Sequence, residues 1–211
     1  MRKFLIVSVV LASAAAVSAA GWRAAGAQQG APATGGGKPP GASTIVPLKV
    51  KRPPGLRGEI QQQLDDAEQK LVQLASVVPP EKFGWRPAPG VRSFGEVCLH
   101  VAGGNYEIGA MWGMKVPAGV DPRNLEKEGA DKAKTVAALK QSFDFVHQAI
   151  DALPDSELHK PIKIFGRDAV VAEAMLGIAS HDHEHLGQAI AYARMNGVVP
   201  PWSAVENQRG R

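Results

Sequence analysis

The chain has 211 residues, enough for one domain with a buried core, and a single cysteine, Cys98, so no intramolecular disulfide can staple it. Its formal net charge is +4, but the first 27 positions hold three basic residues and no acidic ones, and without them the charge falls to +1. A balance so close to neutral lacks the basic signature of a nucleic-acid-binding protein.

The chain opens with Arg2 and Lys3, continues through an uncharged run from Phe4 to Ala20 rich in Leu, Val and Ala, and reaches the small-residue step Ala25-Gly26-Ala27. That is the layout of a secretory signal, with cleavage expected near Ala27 and a periplasmic or secreted product. A permanent membrane anchor is the competing reading. The apolar run thins to Ala and Ser before it reaches the ~20 strongly apolar residues that a span wants, so no stable span is expected in the mature form. No cysteine stands at the end of the signal to carry a lipid.

Residues 28–55 are dominated by Gly, Pro, Ala and Ser and hold too little large apolar surface to offset the entropy of ordering them, which makes them a flexible linker. A folded domain is expected over residues 56–203, followed by a short polar tail, 204–211, containing Asn207 and Arg211.

Four segments of that domain show helical spacing, and none shows convincing strand alternation. The first carries Ile60, Leu64, Ala67, Leu71, Leu74 and Val78 and stops at Pro79-Pro80. The second, "SFGEVCLHVAGGNYEIGAMWGM", opens with Ser93 and Glu96 at capping-box spacing. Its core stripe is Val97, His100, Val101, Gly104, Ile108 and Met111, so a histidine occupies a position that packing would fill with an apolar residue. The third spans 131–152 through Val136, Leu139, Phe143, Val146 and Ile150. In the link that follows, "PIKIFG" has the look of a brief extended piece. The fourth is expected from about Ala169 to Asn196, closed by Gly197 and Pro200-Pro201. Four such helices predict an all-α, up-down-type four-helix bundle.

The densest chemistry lies in "SHDHEHLGQAIAYARMNG", residues 180–197. Residues four apart on a helix lie about 40° from one another around its axis, so the His181 and His185 side chains can converge on one point. Ala174, Ile178, Gln188 and Tyr192 share their stripe, which is therefore the packed one. His183 lies about 200° round from His181 and is expected to face solvent, as is Asp182, with Glu184 on the boundary.

Two buried imidazoles on one helix and a third, His100, on another are costly unless their nitrogens find partners. A divalent ion satisfies one nitrogen of each ring, and three ligands leave room for water or substrate. Glu107, Glu184 and Gln188 stand at spacings from which they could orient a ligand. His147 and His159 have no spacing partner and read as surface residues. Cys98 points about 160° away from His100 and reads as a small buried apolar residue.

His181-Asp182-x-x-His185 also differs from the zinc-protease motif only by Asp for Glu. The segment lacks the downstream glycine and third histidine of a metzincin, and no sheet accompanies it. The protease reading is therefore set aside.

Two stretches, "RPAPGVRSFGEVCLHVAGGNY" and "HDHEHLGQAIAYARMNGVVPPWS", resemble the DinB/YfiT-like four-helix bundles over about residues 56–203. The resemblance implies a divalent ion, commonly nickel or zinc, held between helices by three histidines, which match His100, His181 and His185. It also implies kinship with thiol-dependent transferases and isomerases, in which the metal lowers the pKa of a bound thiol, and makes a homodimer plausible. The expectation is an exported metal-dependent enzyme of hydrolase or thiol-transferase type acting on a small-molecule substrate. A non-catalytic metal-binding bundle that recognises a small ligand or a protein is the alternative.

Overall fold

The first helix, α1 (Leu56–Val77), buries Ile60, Leu64, Ala67, Leu71 and Leu74 on one stripe. It stops where Val78 turns extended, at φ −65° and ψ 127°, because the ring of Pro79 disfavours helical backbone in the residue before it. These positions come from a computed structural model, which describes residues 52–203. The secretory signal, most of the linker and the polar tail fall outside the described residues.

Helix α2 (Phe94–Ala110) begins with the expected capping box: Glu96 N donates to Ser93 Oγ at 3.3 Å, and Ser93 N donates to Glu96 Oε2 at 2.6 Å. Helix α3 (Lys132–Asp151) is capped by Asp131, whose carboxylate accepts from Lys134 N at 3.1 Å. Helix α4 (Val171–Met195) is the longest among the described residues.

The start of α4 corrects the sequence reading, which placed Ala169 and Val170 inside the helix. They belong instead to β2 (Arg167–Val170), which pairs antiparallel with β1 (Pro161–Ile164), Pro161 opposite Val170 and Ile164 opposite Arg167. The extended piece expected at "PIKIFG" thus has a partner. Strands of four residues with little burial carry no alternation long enough to be read, and only their mutual hydrogen bonding reveals them.

The bundle expected from periodicity is present, with an arrangement that periodicity could not give. Helix α2 packs against α3 and α4, and α1 packs against the same two, so α1 and α2 occupy one diagonal and α3 and α4 the other. Long connections make these crossings. Leu64, Leu71, Val97, Leu139, Phe143, Ile150, Met175 and Ile178 fill the centre and are inaccessible to solvent. Among the described residues, no helix is long and apolar enough to cross a membrane.

The 3₁₀ stretch Pro122–Glu128 lies along α2, unannounced by any pattern in the sequence. Gly103 permits that contact, since a Cβ at this position would stand 2.9 Å from the Pro122 carbonyl oxygen.

Candidate metal centre

His100 projects from α2, and His181 and His185 from successive turns of α4, which packs beside it. One nitrogen from each ring lies within 4.8 Å of the other two, and the ring centroids are 4.6 to 5.1 Å apart. The structure therefore brings together the three residues that helical spacing had singled out, into a group that could hold one ion.

Each of the three rings has an oxygen at its Nδ1. His100 meets Glu126 Oε1 at 2.9 Å, His185 meets Gln188 Oε1 at 2.9 Å, and His181 meets Asp182 Oδ1 at a longer 3.4 Å. The Gln188 amide nitrogen donates to Tyr192 Oη at 2.9 Å, which fixes its oxygen toward the ring. Tyr192 in turn sets its ring edge-on to Trp85, with centroids 5.5 Å apart. All three partners accept hydrogen bonds, so the proton of each neutral ring sits on Nδ1 and the lone pair on Nε2. That is the tautomer a metal-binding histidine needs, with its remote nitrogen held by a protein oxygen.

Local packing leaves space for this cluster. A Cβ added to Gly104, one turn past His100 on α2, would lie 2.5 Å from His181 Cε1 and 3.0 Å from its Nδ1. The absence of a side chain at residue 104 is thus the hollow into which the His181 ring fits.

The electrostatics favour free lone pairs. Burial holds the pKa of His100 below its ordinary value despite the opposing bond from Glu126, and Arg92 adds to the depression. Burial does the same at His185, against the bond to Gln188. For Glu126, burial opposes the charge, but hydrogen bonds from Arg92 and His100 prevail and hold its pKa below the usual carboxylate range. Arg92 reaches Glu126 Oε2 at 2.8 Å, so one carboxylate joins a guanidinium to a candidate ligand.

The fold departs from several expectations of the sequence. Asp182, expected to face solvent, is fully buried: burial pushes its pKa up to about 6, and its Oδ2 has no hydrogen-bond partner. It sits roughly 100° round the helix from His181, and α4 is covered by both α1 and α2. A helix packed on two sides buries a wider arc than a single stripe predicts. Glu184 is exposed, so the carboxylate beside His181 is that of Asp182. His183 is half-buried, its Nδ1 3.0 Å from the Ala179 carbonyl.

His147 is no free surface residue either, since Glu68 lies 3.0 Å and Asp65 3.5 Å from its Nε2 across the α1–α3 contact. His159 is exposed. Cys98 is fully buried, which raises its thiol pKa to about 12 and leaves it inert. Glu126 was missed altogether. It lies in a segment without periodicity, 26 residues from its partner, and nothing in the local sequence marks it.

A cleft of about 450 Å³ opens beside the cluster, lined by His100, His181, Glu107 and Glu126 together with Arg123 and Phe165. That volume suits a small molecule. Glu107 lies 3.5 Å from Arg123 Nε and takes no part in orienting a histidine.

Comparison with known proteins bears on the fold and the family. A comparison with curated proteins finds no match. The crystal structure of a DinB-like protein from Bacillus cereus is similar, with a TM-score of 0.59 and 18% sequence identity over 67% of this chain and 95% of that one, a likeness of fold. The family model of the DinB superfamily matches residues 63–189, a span that takes in all three histidines of the cluster, and the chain belongs to that superfamily.

Proposed function

We propose that this protein is an exported metal-dependent enzyme that acts on a small molecule at one divalent ion, of the zinc or nickel kind, held by His100, His181 and His185. The observation that carries this reading is the shared orientation of the three rings, each with its Nδ1 turned to a protein oxygen and its Nε2 left free. The donor set suits such an ion, and two features at His181 support it: the buried Asp182 beside the ring with its Oδ2 unpartnered, and the hollow at Gly104 that seats the ring.

A purely structural zinc site is closed by four protein ligands, whereas this cluster holds three donors and adjoins an open cleft. When bound, the ion supplies Lewis acidity toward a water or a thiol in that cleft. The chain's own residues do the rest. Glu126, Gln188 and Asp182 keep the imidazoles in one tautomer, and Glu107, paired with Arg123 at 3.5 Å, is a cleft carboxylate placed to hold or move a proton. Export rests on the basic start and apolar run of the first 27 residues.

The test is metal analysis of the mature protein joined to a screen of hydrolytic and thiol-transfer substrates. About one ion per chain is expected. Ala in place of His100, His181 or His185 should abolish binding, while His183→Ala should retain it. Equal loss from all four substitutions would refute the assignment.

A further inference from the structure

Phe165 is an aromatic residue that neither its turn nor the core explains. It and Gly166 form the two-residue loop joining β1 to β2, with φ of +48° and +84°. Such loops favour Asn-Gly, because a β-carbon in the left-handed region is strained by roughly 1–2 kcal/mol. Phe165 is also 75% exposed and stands apart from the buried core.

Yet Phe165 borders two cavities at once. One is the cleft beside the histidines. The other, about 480 Å³, lies further out and is walled by Met111, Val116 and Ala110. The two share Glu107, Pro122, Arg123 and Phe165, so they adjoin at these side chains. The lining of the outer chamber is mostly apolar, with Asp121 and Glu107 standing beside Arg123. Two carboxylates against one guanidinium disfavour an anionic tail there.

We infer that the substrate is an amphipathic small molecule whose polar head meets the three histidines and whose uncharged apolar tail lies along Phe165 into the chamber of Met111 and Val116, Phe165 being the residue that selects for that tail. The inference rests on the metal reading for the head group. It stands by itself for the tail. A strained, exposed phenyl ring at the threshold is then accounted for: it offers apolar area where a turn-forming asparagine would offer none.

The test uses two probes on the whole mature chain. The neutral fluorophore N-phenyl-1-naphthylamine is added to metal-free protein, and octanohydroxamate is compared with acetohydroxamate on zinc-loaded protein by calorimetry. The wild type should enhance the fluorophore's emission and bind the eight-carbon hydroxamate at least about tenfold tighter than the two-carbon one.

Phe165→Asn, which suits the turn and should keep or raise the melting temperature, should remove most of that chain-length preference and of the fluorescence. Val116→Asp, which puts a charge in the same chamber, should do the same. Zinc binding with no chain-length preference in the wild type would overturn the inference and leave the metal reading standing. An unchanged preference in a folded Phe165→Asn protein would overturn it as well. Fluorescence that depends on Phe165 in a protein that binds no zinc would support the apolar chamber and refute the metal reading.

Discussion

Glu126 Oε1 lies 2.9 Å from His100 Nδ1, and its other oxygen lies 2.8 Å from Arg92 Nε. A residue from the 3₁₀ stretch Pro122–Glu128 thereby holds a candidate ligand on α2 by its Nδ1. Replacing Glu126 with Ala should weaken zinc binding by about 10- to 100-fold, as loss of such a partner does elsewhere. The melting temperature of the metal-free protein should change little, because the Arg92 pair is partly exposed. Competition against a chelator of known affinity measures the first quantity and a thermal melt the second. Unchanged zinc affinity would remove Glu126 from the site.

Gly104→Ala separates fit from stability. The new methyl would stand 2.5 Å from the His181 ring, which must swing aside, while alanine favours the helix by up to about 1 kcal/mol. The expected result is zinc affinity lowered by at least about tenfold in a protein that melts no lower than the wild type. A protein that loses stability but keeps its affinity would show the hollow to be a matter of packing alone.

Asp182 is a buried carboxylate with one oxygen unpartnered and the other 3.4 Å from His181 Nδ1. An uncompensated buried carboxylate destabilises the fold. Asp182→Asn removes the charge and keeps the shape, so the metal-free protein should melt at the same temperature or higher. Its affinity for zinc should fall about tenfold or more, since the amide is a weaker partner for the ring. A rise in affinity would contradict the role given to this residue.

His147 gives a pH signature remote from the cluster. Burial works against its protonation, but the hydrogen bond and charge of Glu68, with Asp65 and Asp151 nearby, outweigh it and hold its pKa above the ordinary value. A raised pKa means that the folded state binds the proton more tightly than the unfolded one. The stabilisation is therefore full below about pH 6.5, the unfolded value, and is lost as pH rises through the folded value. Compared with His147→Gln, the wild type should melt about 2–4 °C higher at pH 5.5, for a pair worth about 1 kcal/mol, and the gap should close in alkaline buffer. A gap independent of pH would mean that packing, not charge, holds His147 in place.

The sequence by itself determined the four helices, the capping box at Ser93 and the singling-out of His100, His181 and His185. These depend on local quantities: the spacing of apolar residues, the chemistry of a cap, and the turn that separates residues four apart. Gln188 was legible as a partner of His185 for the same reason, being one turn away on the same helix. Only the tertiary structure decided the rest. It set which helices are neighbours, buried Asp182 beneath two of them, paired the short strands that carry Phe165, and laid the segment bearing Glu126 against Gly103. Each of these follows from contacts between residues far apart in the chain, and periodicity within one helix carries no information about what will cover its other faces.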